Sequence, residues 1–246
     1  MRDHRYRLIA DDLRRRVEAG EFARGRLLPS EATLGAAYGA SRITVRRALD
    51  VLRDEKLVAS RQGFGWYVAT EPVRQTLARL GTIEDQLAES GRRSERRVIG
   101  FRFVTAKGRV REVLGAGTVL EVRRVNTADG EPFARVTVWC PERYGRGLSR
   151  DAVEASSFYE LVPVELGGAT QTIAAGASSA ADAELLGVPA GSPVLVCERV
   201  TRSSDGEPVL LSDHVFPAHL TEFVVDLPYV DVSIAPNGLR LVEQDS

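Results

Sequence analysis

Apolar and polar positions along the chain fall into two regimes. From Tyr6 to Ala19, Leu8, Ile9, Leu13 and Val17 recur at helical spacing, arginines and acids take the positions between them, and Gly20 supplies a stop. Ser30 is placed to cap a second helix running through Ala37, with Glu31 in its first turn, and Gly39 and Ala40 break it. Ser41 caps a third helix extending to Lys56, in which Val45, Leu49 and Leu52 form an inward stripe while Arg42, Thr44, Arg46 and Arg47 point elsewhere. The run LVASRQGFGWYVA then alternates as a hairpin with Gly63 and Gly65 at its tip.

Beyond residue 81 the pattern changes to strands. RRVIGFRFVTA, TVLEVRRVNTA, EPFARVTVWC, GATQTIAAGAS, PVLVCERVTRS and EPVLLSDHVFP read as strands, with short helices at SFYELV and SSAADAELLG. Asp129-Gly130 and Asp205-Gly206 mark two antiparallel hairpins of similar sequence, consistent with an internal duplication. The fold class expected is α+β: an N-terminal winged helix-turn-helix over 1–69, a linker over 70–81 interrupted by Pro72, and an antiparallel-sheet domain over 82–246 with its helices on one face.

Charge sharpens the division. Residues 1–70 hold 14 Lys and Arg against 9 Asp and Glu, a net of +5, within a chain whose total is −1. A basic segment made of two short helices, a tight turn and a glycine-tipped hairpin is the arrangement that reads duplex DNA, and Arg42, Thr44 and Arg46 stand where a recognition helix meets base edges. Arginine pairs bidentately with guanine, and Arg61, Gln62 and Gly63 at the hairpin tip suit phosphates or a minor groove. Cys140 and Cys197 share no metal-ligand or disulfide spacing with each other or with the three histidines, so reduced, buried thiols are expected, with no metal and no cofactor. Charges occupy the N-terminus and no run of about 18 apolar residues occurs, so a cytoplasmic protein without a membrane partner is expected.

The run LPSEATLGAAYGASRITVRRALDVLRDEKLVASRQGFGWYVA resembles the DNA-binding domain of the GntR family. The resemblance implies base and phosphate contacts from Ser41, Arg42, Thr44, Arg46, Gln62 and Gly63; Ala32 stands where relatives carry an arginine, and Trp66 and Tyr67 replace the commoner Thr-Phe. Residues 78–228 resemble the UTRA effector domain, of chorismate-lyase-like fold, which places the chain in the HutC subfamily. That resemblance implies a small-molecule effector, often a sugar phosphate or an organic acid, bound by Thr82, Arg124, Ser157 and Asp213, with Arg135 and His214 beside them. Asn126 and Val136 replace an arginine and a glutamate of the sugar-phosphate binders, which disfavours a phosphosugar. A repressor is implied, a homodimer on a palindromic double-stranded operator, released by an anionic effector. Two other classes remain open on the residues: a chorismate-lyase-like enzyme, for which no nucleophile elbow, zinc signature or phosphate loop is found, and a ligand-independent DNA-binding protein.

Overall fold

The computed structural model describes residues 2–77, 81–89 and 91–227. Its N-terminal part consists of α1 (Arg2–Glu18), α2 (Glu31–Tyr38), α3 (Arg42–Asp54) and the antiparallel hairpin β1 (Val58–Arg61) and β2 (Gly65–Val68). Ile9, Leu13, Leu34, Val45, Leu49, Leu52, Val58 and Val68 close one core between them. Leu8 is not part of it; Ile9, Ala10 and Leu13 face inward and Leu8 is 55% exposed. Both capping serines behave as the sequence predicts, Ser30 Oγ accepting from the Thr33 N–H at 3.1 Å and Ser41 Oγ from that of Thr44 at 3.3 Å. The third helix stops at Asp54, two residues before the expected end, because Lys56 turns left-handed and the Leu57 N–H returns to the Leu52 carbonyl at 2.9 Å.

The segment read as linker holds β3 (Val73–Thr76), which pairs in parallel with a strand almost 150 residues later (Thr221–Val224) and buries Val73 and Gln75. α4 (Ile83–Glu89) follows, opened by a reciprocal pair in which the Asp85 N–H donates to Thr82 Oγ1 at 3.1 Å and the Thr82 N–H to Asp85 Oδ2 at 3.2 Å.

The six expected strands form one antiparallel sheet: β4 (Ser94–Thr105), β5 (Thr118–Ala128), β6 (Glu131–Pro141), β7 (Leu166–Ala177), β8 (Pro193–Ser203) and β9 (Pro208–Pro217). Their order is β4-β5-β6-β9-β8-β7, two three-stranded meanders meeting at β6 and β9. Between strands lie α5 (Gly108–Leu114), α6 (Glu142–Gly145), α7 (Arg150–Ala155), α8 (Phe158–Leu161) and α9 (Ala180–Leu186), and β10 (Thr221–Val224) ends the described chain. The sequence signalled only α8 and α9 of the short helices in this half.

Helices cover both faces of the sheet, not one. Leu120, Val122, Val136, Val138, Leu210 and Phe216 point into the main core beneath α4, α7 and α8. The alternate residues point the opposite way: Val119, Val200 and Leu211 meet Leu114 of α5, and Val194 and Val215 meet Ala183 and Leu186 of α9. The central strands are apolar on both sides, so a single covered face would leave the second row in water.

That second face also receives the winged helix. Phe64 at the tip of the β1–β2 hairpin is buried among Ala183, Leu186, Val194 and Val215, with its ring 4.1 Å from that of His219. Arg26 ion-pairs with Glu131 and donates to the Leu186 and Gly187 carbonyls at 2.6 and 3.0 Å. Gly187 is left-handed at the C-cap of α9, and a Cβ there would collide with the Arg26 guanidinium. His219 Nε2 donates to the Gly25 carbonyl at 2.9 Å.

Burial holds the His219 imidazole neutral, lowering its pKa from 6.5 to about 4; the Gly25 carbonyl opposes this and the charges of Arg61 and Arg26 assist it. A base whose folded pKa lies below its unfolded one stabilises fully above pH 6.5 and loses that contribution as pH falls toward 4. The contact between winged helix and sheet therefore loosens across this window. Small-angle scattering between pH 7 and 4 will show the chain extending, and the His219→Leu variant will show a flat profile there.

Candidate functional site

The first turn of α3 and the β1–β2 hairpin frame a groove of about 800 Å³ lined by Arg42, Arg46, Arg53, Arg61, Gln62 and Gly63. Five of the seven residues expected to read DNA, Arg42, Arg46, Arg61, Gln62 and Gly63, thus meet on one concave surface from α3 and the hairpin tip. Ser41 and Thr44 stand just outside it, capping α3 and bonded to each other at 2.9 Å. Gly63 has φ +76° with open space around it, a left-handed tip that a side chain would strain.

Glu31 organises the groove, and the sequence reading did not single it out for that. Arg46 donates from Nε and Nη2 to the two Glu31 oxygens at 2.9 and 3.0 Å, and Trp66 Nε1 of β2 donates to Oε1 at 3.1 Å. The Arg46 hydrogen bonds hold the Glu31 carboxyl below its usual range despite burial, and raise Arg46 in turn. Recognition helix and hairpin are therefore set against each other by one carboxylate, which fixes one edge of the Arg46 guanidinium. The outward nitrogen, Nη1, is not used in that pair. Arg53 stacks over the Trp66 ring at 5.6 Å. Pro189, from the turn after α9, closes the far rim.

A second site lies under the opposite face of the sheet. Thr82, Arg124, Ser157 and His214, four of the six residues expected to bind an effector, line one small cavity of about 40 Å³ together with Glu84 and Arg199. Arg124 is 7% exposed, and neither Nε nor Nη1 has a partner. Burial works against its charge, and Glu84 is the principal group opposing that. Burial likewise pushes the Glu84 carboxyl up, but the Arg96 hydrogen bond at 2.7 Å and the charges of Arg124 and Arg96 outweigh it and hold the pKa at about 2. Glu84 Oε1 also accepts from Asn126 Nδ2 at 2.5 Å, and Oε2 has no partner. His214, 7% exposed, is held neutral by burial and by the charges of Arg199 and Arg124, with Nε2 2.9 Å from Ser212 Oγ. An anionic group would satisfy the open Arg124 nitrogens, and a hydrogen-bond donor would satisfy Glu84 Oε2.

Arg135 and Asp213 do not enter this cavity. Residues alternate across a strand, and these two fall on the face toward α9: Arg135 donates to Asp213 Oδ2 at 2.6 Å and to Asp182 Oδ1 at 2.7 Å. Asn126 and Val136 are fully buried, the first bonded to Glu84 and the second in the core. Thr82 and Ser157 line the cavity while opening α4 and α8, the Ser157 N–H donating to Glu160 Oε2 at 3.2 Å. Glu84 was not singled out in the sequence, where no helix is marked over residues 83–89. Cys140 and Cys197 are free and buried, and burial pushes both thiols up to about 12. Among the described residues, no helix is long and apolar enough to cross a membrane.

Comparison with known proteins agrees with both halves. Residues 5–68 match the model of the bacterial regulatory proteins of the gntR family, and residues 89–221 match that of the UTRA domain. The chain is 32% identical over 244 residues to the HTH-type transcriptional regulator Rv0792c of Mycobacterium tuberculosis, covering 96% of this chain and 89% of that one. It is 26% identical over 209 residues to the HTH-type transcriptional repressor NagR of Bacillus subtilis, covering 82% and 85%. The crystal structure of PhnF from Mycobacterium smegmatis superposes with a TM-score of 0.61 at 26% identity, covering 89% of this chain and 98% of that one. With a basic groove built on a winged helix and a polar cavity under an antiparallel sheet, the chain belongs to the gntR family of transcriptional regulators and carries a UTRA domain.

Proposed function

We propose that the chain is a ligand-released repressor whose residues 1–69 read DNA, whose residues 70–81 connect, and whose residues 82–246 bind an effector and dimerise; residues 1, 78–80, 90 and 228–246 lie outside those described. The observation that carries the effector assignment is the buried Arg124, which lines the cavity and has two nitrogens without a hydrogen-bond partner. An unpaired buried charge is costly, and a small anionic ligand relieves that cost on binding. Thr82, Ser157 and His214 contact the same ligand, with Glu84 Oε2 accepting from one of its donors. The cavity as it stands has room for only a few waters, so the ligand enters as α4 and α8, which line it, give way. Repression, rather than activation, is supported by the names of NagR and of the mannosyl-D-glycerate system repressor MngR of Escherichia coli, 29% identical over 163 residues.

On the DNA side, Arg42 and Arg46 read base edges, Ser41 and Thr44 meet the backbone beside them, and Arg61, Gln62 and Gly63 engage the flanking groove. Two copies are required, since a net +5 per winged helix is modest, and a two-fold dimer matches a palindromic operator. β7 is the favoured dimer edge: a 12-residue outer strand without a charged side chain and mostly exposed, which a solitary chain would leave open to pairing. Arg135 and Asp213 act through α9 rather than on the ligand. The cytoplasm is the compartment this reading requires.

The full-length protein is titrated by fluorescence anisotropy against the DNA preceding its own gene at two salt concentrations, with excess competitor. Specific, salt-sensitive binding is expected; its absence in every condition overturns the reading. Arg42→Ala and Arg46→Ala are each expected to cost about 1–3 kcal/mol of specific affinity. Arg124→Met keeps operator affinity, loses thermal stabilisation by every member of a panel of small carboxylic acids and phosphate esters, and has a melting temperature equal to or above that of the parent. Glu84, with its folded pKa depressed from 4.5 to about 2, stabilises above pH 4.5, and this is lost as pH falls toward 2; Glu84→Gln flattens that part of the acid-denaturation curve.

A further inference from the structure

Ile43 is the one large apolar side chain that α3 turns outward, at 76% exposure, the highest of the exposed large hydrophobics within the winged helix. Nothing in the helix itself accounts for it. The inward stripe is Val45, Ala48, Leu49 and Leu52, and a β-branched residue at a solvated helix position gives up propensity to any straight-chain polar alternative. Its neighbours are charged: Ile43 shares a surface depression with Glu31, Arg42, Arg46, Arg47 and Asp50, the residues three, four and seven places on standing above it on the same face. Arg46, held on its Nε and Nη2 edge by Glu31, borders the same depression as Ile43. A second copy of this chain packed on Ile43 would bring the same arginines against themselves, so like charge argues against a protein partner.

An apolar side chain set among arginines on the first turn of a helix meets complementary chemistry on one surface, the major-groove edge of an A·T pair. Phosphates there satisfy the arginines, and thymine alone presents a methyl group among the base-edge donors and acceptors. We infer that Ile43 is a specificity-determining residue that packs against the 5-methyl group of a thymine in each operator half-site. The inference rests on the DNA-reading assignment and adds to it a contact that carries no charge and forms no hydrogen bond.

The test uses duplexes selected by the full-length protein from a library with a random core. Each thymine of the selected duplex is replaced in turn, symmetrically in both half-sites, by deoxyuridine, which removes only the methyl group. One position is expected to weaken binding of the parent protein by about fourfold per half-site, the factor that burial of one such group carries. Against Ile43→Ala the same replacement has no effect, while Ile43→Ala binds the thymine duplex as weakly as the parent binds the deoxyuridine one. Ile43 is exposed, so the variant retains its melting temperature. Any effect of the methyl group on duplex shape persists in Ile43→Ala, and the cycle separates the two. Selection of a duplex whose thymines are all replaceable without loss, or equal losses for parent and variant, overturns the inference and leaves the DNA-reading assignment standing. Failure to select any duplex overturns both.

Discussion

The strict alternation of side chains across one six-stranded antiparallel sheet is the constraint on which both proposed sites depend. On β5, β8 and β9 the residues of one parity, Arg124, Arg199, Ser212 and His214, face the cavity under α4 and α8. Residues of the other parity, with Arg135 of β6, face α9 and the winged helix. Asp213 and His214 are chain neighbours separated by the thickness of the sheet. A one-residue slip in any central strand would exchange the two sets and bury the wrong charges.

α9 is the element that joins the two sides. Its first turn is held by Arg135, through Asp182, and Arg135 also grips Asp213 beside His214. Its last turn offers the Leu186 and Gly187 carbonyls to Arg26 of the winged helix, and its apolar face receives Phe64 of the hairpin tip. The groove that gathers Arg42, Arg46 and Arg61 is bounded on its far rim by Pro189, two residues beyond Gly187. A shift of β9 under a ligand therefore has a continuous set of contacts, from Asp213 through Arg135 and α9 to Phe64, through which to bias the placement of the wing.

The two sites hold charge differently. In the groove, Glu31 satisfies Arg46 on one edge and Trp66 beside it, so the helix and hairpin are prepared before any partner arrives. In the cavity, Arg124 and Glu84 face one another without a hydrogen bond, each with open polar atoms in a buried setting. The first arrangement is rigid and exposed, as a surface that reads a regular duplex needs to be. The second is a buried charge pair left incomplete, which favours whatever completes it.

Local chemistry made much of this legible in the residues alone. Caps at Ser30 and Ser41, the glycine tip at Gly63, two Asp-Gly turns and period-two runs of apolar residues each act over a few positions, so the winged helix, the six strands and the α+β class follow from the sequence. The gathering of Arg42, Arg46, Arg61, Gln62 and Gly63 follows as well, because short turns bring them together. Only the tertiary structure decided the rest. The pairing of Val73–Thr76 with Thr221–Val224 joins segments far apart in the chain, and no local signal marks a partner at that distance. Which parity of each strand faces which layer was set by helices on both sides of the sheet; it put Arg135 and Asp213 on α9 rather than in the cavity, and Glu84 in the cavity although α4 carried no strong signal. Phe64 reads as a turn residue in sequence and is buried in fact, because what covers it is a helix folded from residues more than a hundred positions away.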